Sequence, residues 1–291
     1  MDLRRGRLSR NIEDRRGLRM PGNLKLGGCG SLLVILVLVL FFGPDSLQLL
    51  NSIEETSPNT GYVDNQPNRN LPADEATEFI SRVLANTEDT WHELFRAGSL
   101  TYQQPTLVLF SGMVESACGF QSAAVGPFYC PGDRKIYLDL TFFDELARLG
   151  GRGDFAQAYV LAHEVGHHVQ NQLGYFDLAE PLKRRSPAQA NAISVRLELQ
   201  ADCLAGVWAH HGDRLQQILE PGDLEEGLTT AAAIGDDRLS RMSGNVIAPE
   251  SFTHGSSRDR VEWLRRGLET GDPQACDTLK ELLPEQSRLP R

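Results

Sequence analysis

The chain has 291 residues, 41% of them hydrophobic and 23% charged, the makeup of an ordinary folded protein with room for one large or two small domains. Its net charge is −10, yet residues 1–25 hold eight Lys or Arg against three acids, so everything after them is strongly acidic. That balance excludes nucleic acid as a partner of the main domain.

The basic stretch precedes residues 26–43, which carry no charge across 18 positions and are long enough to cross a bilayer as a helix. Phe41-Phe42-Gly43-Pro44 offers no small-x-small cleavage site, so the run reads as a retained anchor rather than a signal peptide. Arginines ahead of it place the N-terminus in the cytoplasm by the positive-inside rule. The expected organisation is a basic cytoplasmic tail at 1–25, a transmembrane helix at 26–43, a linker at 44–73 and an extracytoplasmic domain at 74–291. The protein would then be a single-pass protein of the inner membrane, its domain in the periplasm or the equivalent exterior. Residues 44–73 are rich in Asn, Pro, Ser and Asp, as a linker requires.

Cys29 lies in the apolar run, leaving four cysteines outside the cytoplasm, enough for two disulfides. Cys118 and Cys130 flank a short Gly-Pro turn and are the local pair, which leaves Cys203 with Cys276.

Phe79, Val83, Trp91, Leu94 and Phe95 recur at helical spacing and predict a helix over 73–97, ended by Gly98. Residues 105–110 and 135–140 are strand-like, 126–130 adds a short strand, and 142–149 is a short helix. The run 154–174 predicts a helix with Asp154 as N-cap, Gln157 completing a capping box and Gly174 as stop. A further helix over 186–211 has Ser186 as cap, Pro187 at its first position and Gly212 as terminator, with Ile193, Leu197, Leu204 and Trp208 as an apolar stripe. Residues 223–238 are helical again, Ser256 or Ser257 caps the next helix, and Asp272-Pro273 opens a last short one bearing Cys276. Few strands precede many helices, which indicates an α+β domain with a small sheet packed on helices.

The chemistry concentrates in His163-Glu164-Val165-Gly166-His167. Histidines four apart leave one helix face a turn apart, and neutral imidazoles there can both reach a tetrahedral Zn²⁺. Glu164 falls beside the metal rather than on it, where it can act as general base toward a metal-activated water. Glu198-Leu-Gln-Ala-Asp202 supplies the rest from a second, antiparallel helix. Glu198 would be the third ligand, with one position open, and Asp202 would accept the other ring N–H of His163. His168 lies about 140° round the helix from His163 and is not expected to be a ligand. Asp236 and Asp237 could hold a second cation, but a solvated helix end accounts for them more simply.

The HEVGHHVQ and LELQADC helices, FTHGSS at 252–257 and NIEDRRG near the start together resemble the bacterial neutral zinc metallopeptidases. These are single-pass membrane proteins of the wider HExxH-plus-Glu, gluzincin-like group. The resemblance implies a zincin-like fold, one Zn²⁺ per chain, His163, His167 and Glu198 as ligands, and Glu164 as base.

The expected function is therefore a membrane-anchored zinc peptidase acting on peptides or proteins. The alternatives are a non-catalytic, zinc-stabilised peptide-binding or scaffold protein, and a zinc amidase for cell-wall peptides. His254, in a Gly/Ser-rich loop, is expected as a second catalytic group that donates to the oxyanion, with Tyr129 and Tyr137 as rival donors.

Overall fold

The computed structural model describes residues 1–17, 74–244 and 247–280. Met1–Arg16 and the described residues from 74 onward belong to one compact unit. The elements are, in order, β1 (Ile12–Asp14), α1 (Glu75–Ala97), β2 (Thr106–Leu109), β3 (Met113–Ser116), β4 (Gly119–Ser122), β5 (Phe128–Cys130) and β6 (Lys135–Leu138). Among the described residues seven α-helices follow: α2 (Phe142–Leu149), α3 (Asp154–Gln172), α4 (Tyr175–Arg185), α5 (Ala190–Gln216), α6 (Asp223–Ala233), α7 (Asp236–Met242) and α8 (Ser257–Thr270). The architecture is α+β, with strands first and helices after.

Four strands form a sheet of order β1-β2-β6-β5, parallel but for the antiparallel edge strand β5, and β3 and β4 make a separate hairpin. Alternation along the strands divides the core. Leu107, Leu109, Ile136 and Leu138 belong to the main core with residues of α1, α3 and α5, while Val108, Phe110 and Tyr137 join Cys130 and Val114 in a smaller cluster. The α3 helix is buried nearly all round, as a central helix must be.

Two close crossings position the site. A Cβ on Gly166 would meet the Ala201 carbonyl at 2.9 Å, so this glycine lets α3 and α5 touch backbone to backbone. Gly206 of α5 and Gly267 of α8 do the same, each lying where a side chain would collide with the other helix's backbone. Disulfides join Cys118 to Cys130 and Cys203 to Cys276, the latter tying α5 to the turn after α8.

Several expectations need correction. Residues 1–16 are not a tail apart from the domain: β1 pairs with β2, and Met1, Leu3 and Ile12 are buried in the main core. No helix among the described residues is long and apolar enough to cross a membrane, and residues 26–43 lie outside those described. Asp154 does not cap α3. Gly153 holds the N-cap, and the Asp154 carboxylate instead accepts from the Met1 ammonium at 2.7 Å. Asp223 also receives that ammonium, at 3.3 Å, and Glu226 accepts the Phe155 backbone N–H, so the acidic cluster of Asp154, Asp223 and Glu226 has partners other than a metal. Ser186 makes no side-chain cap. Pro187–Gln189 is a 3₁₀ turn before α5, which runs on past Gly212 to Gln216. Gly212 sits inside the helix because a Cβ there would meet the Asn86 Oδ1 at 2.8 Å.

Candidate metal centre

The α3 and α5 helices run antiparallel: Tyr159 meets Asp202, His163 meets Asp202 and Glu198, and Gln170 meets Leu197. This arrangement brings one ligand atom each from His163, His167 and Glu198 within 4.8 Å of one another. Glu198 straddles the pair, with one oxygen 3.2 Å from His163 Nε2 and the other 3.5 Å from His167 Nε2. Donors held about 2.0–2.1 Å from a tetrahedral zinc lie about 3.3 Å apart, so the spacing is that of a coordination shell.

Both imidazoles are oriented from behind. His163 Nδ1–H donates to Asp202 Oδ1 at 2.8 Å and His167 Nδ1–H to Gln170 Oε1 at 2.8 Å, an arrangement that in the neutral rings leaves each Nε2 lone pair for a metal. Gln170 is held in turn, donating to the Leu197 carbonyl and to Gln200. The residues present therefore fit zinc in donor type, tautomer and spacing.

Asp202 is fully buried and is the hub of a network. Besides His163 it accepts from the Tyr159 hydroxyl at 2.6 Å and from Arg260, which bonds both its oxygens at 2.9 Å. Burial alone would raise this carboxyl. Arg260 and His163 overcome that and hold it at about 2, so it stays ionised. Sequence reasoning missed Arg260, Tyr159 and Gln170. Gln170 left a signal, since it lies three positions after His167 on the same helix face.

Glu164 is 8% exposed, and its carboxylate takes no hydrogen bond or ion pair from any described residue. Burial raises its carboxyl above the usual range, with His167 and His163 opposing. It opens onto a cleft of about 570 Å³ shared with the three donor residues, His254 and Arg260. An apolar lining from Val125, Phe142, Leu149, Val160, Ile234 and Leu239 continues that cleft.

His254 reaches the cleft from the loop before α8. Asp236 builds that loop, its carboxylate accepting the backbone N–H of Thr253, His254 and Gly255 and contacting His254 Nδ1 at 3.1 Å. That contact raises the imidazole's pKa, against partial burial. Asp237 is likewise engaged, by Ser257 and Arg241, so both acids have partners other than a cation. Of the rival donors, Tyr137 bonds Asp133 and lies outside the cleft lining. Tyr129 lines the cleft, but its hydroxyl is held by Asn171 and His168. His168 itself bridges to the Gln103 carbonyl and is not among the donors.

A small sheet with two antiparallel helices that bring His, His and Glu to one point is an α+β fold carrying the donor set of a two-histidine, one-carboxylate metal site. The chain belongs to the family described as "Putative neutral zinc metallopeptidase", which matches residues 1–279. It is 46% identical over 286 residues to the uncharacterized protein YpfJ of Escherichia coli, covering 94% of this chain and 96% of that one. It is 42% identical over 219 residues to the uncharacterized protein Rv2575 of Mycobacterium tuberculosis, covering 70% and 72% of the two chains. No solved structure matches.

Proposed function

We propose that the protein is a zinc-dependent peptidase, with one Zn²⁺ held by His163, His167 and Glu198. The observation that carries this reading is Glu164, a buried, unpartnered carboxylate beside three converged donors at the foot of a cleft. A carboxylate that lines a cleft with no protein group to hold it is free to meet water and substrate there, and general-base duty supplies a reason for it. Zinc bound there would polarise a scissile carbonyl and make water acidic enough to lose a proton near neutral pH. Glu164 takes that proton and passes it to the departing amine; its raised pKa suits both steps. His254, held by Asp236, donates to the oxygen on which negative charge develops. The apolar lining favours peptides with an apolar side chain next to the bond cut.

A scaffold role for the metal fits less well, because structural zinc sites close four positions with protein ligands and only three converge here among the described residues. The two disulfides suit a compartment outside the cytoplasm, and the run at 26–43 would hold the protein at a membrane. The test is metal analysis joined to a peptide-library cleavage assay on wild type and Glu164→Gln. Stoichiometric zinc with cleavage only in the wild type supports the reading. A zinc-loaded wild type that cuts nothing, or a variant that cuts as well, overturns it.

A further inference from the structure

We propose that Met1–Arg16 and the domain after residue 74 occupy the same side of the membrane that the apolar run engages, rather than opposite sides. The inference is independent of the peptidase reading.

Its first support is the sheet. The β1 strand is in parallel register with β2 through Ile12↔Leu107, Glu13↔Val108 and Asp14↔Leu109, and Glu13 reaches on to Lys135 of β6 at 2.7 Å. Side chains of Met1, Leu3 and Ile12 belong to the same core as α3 and α5. A chain that crossed once between Gly17 and Asp74 would put about 30 Å of hydrocarbon between these partners.

The second support is Glu88, fully buried on α1. Its carboxylate accepts from Ser9 Oγ at 2.6 Å, Asn11 Nδ2 at 2.8 Å and Arg7 Nη2 at 2.7 Å. With the N-terminal segment across a membrane, Glu88 would lose all three of these donors and α1 would lose residues that pack on it.

The third is charge. The positive-inside rule counts arginines as topogenic signals. Here Arg4, Arg7, Arg15 and Arg16 are each ion-paired within the unit, to Asp2, to Glu88 and Asp89, to Glu13, and to Asp14 and Asp74. Four of the eight basic residues ahead of the run thus have a structural use that needs no cytoplasmic location. Nor does the sequence offer a return span, since residues 44–73 contain acids and an arginine but no second long uncharged apolar run.

The experiment uses the full chain in membranes, with Cys29→Ser as background and one exposed cysteine added at a time, Arg10→Cys or Glu225→Cys. A membrane-impermeant thiol reagent is applied to right-side-out and to inside-out vesicles. Both cysteines are expected to react in the same vesicle orientation and to be protected in the other. Reaction of the two in opposite orientations overturns the proposal. So does release of the intact protein from vesicles by alkaline carbonate, which would mean that no bilayer is engaged.

Discussion

Arg260 grips Asp202 through two parallel hydrogen bonds, Nε to Oδ2 and Nη2 to Oδ1, each 2.9 Å long and each buried. Behind the metal site, this pair fixes the carboxylate that fixes His163. Arg260→Met removes one partner of a buried pair and should cost about 3–5 kcal/mol of stability. Arg260→Lys should not rescue it, because a single ammonium cannot match the bidentate fork. Zinc affinity should fall about 10–100-fold in both variants, as for other groups that orient a ligand. Zinc titration and urea unfolding measure the two effects, and a lysine variant that titrates like wild type would remove Arg260 from the site's support.

Glu164→Gln should keep stoichiometric zinc while losing about 10²–10⁴ in kcat, the usual share of a general acid–base group. Glu198→Ala should instead lose the metal. Full zinc occupancy in the alanine variant would show that Glu198 is not a ligand.

His254→Ala should lower kcat by about 10²–10³ with zinc content unchanged. The sign of its pH dependence follows from the raised pKa, for which the Asp236 hydrogen bond is the leading cause. Wild type then carries imidazolium through pH 6.5, the ordinary value, and loses it only above that. The ratio of wild-type to variant kcat should be largest at low pH and decline toward one as pH rises through the folded value. Limbs due to Glu164 are common to both proteins and cancel in the ratio. A ratio that grows with pH would exclude imidazolium as the donor.

The two disulfides should differ in weight. Cys203–Cys276 closes 73 residues and Cys118–Cys130 closes 12, so chain entropy assigns them about 4 and about 3 kcal/mol. Replacing Cys276 by Ser should therefore lower the unfolding midpoint more than replacing Cys118. The reverse order, measured under oxidising conditions, would count against the loop-entropy account.

The donor set was legible in the sequence because helical periodicity decides which side chains share a face, and it acts within five residues. The contacts that hold those donors were not. Arg260 lies 58 positions beyond Asp202, on a helix whose approach depends on Gly206 and Gly267, and no local pattern reports such a crossing. Strand β1 was missed for a different reason. Three residues, Ile12-Glu13-Asp14, carry too little alternation to mark a strand, and their arginine neighbours suggested a topology signal instead. Asp154 misled through correct chemistry, since it would have capped α3 had the Met1 ammonium not claimed its carboxylate.

Within three turns α5 carries Glu198 toward the donors, Asp202 to His163 and Arg260, Cys203 to its bridge and Gly206 to α8. The helix works like a camshaft, each lobe timed against the others by rotation about one axis. One residue inserted after Asp202 would turn the later lobes by about 100° relative to the earlier ones, swinging the cysteine and the glycine off their partners while the carboxylates kept theirs. The stretch 198–206 should thus accept substitutions at its idle positions yet refuse any change in length.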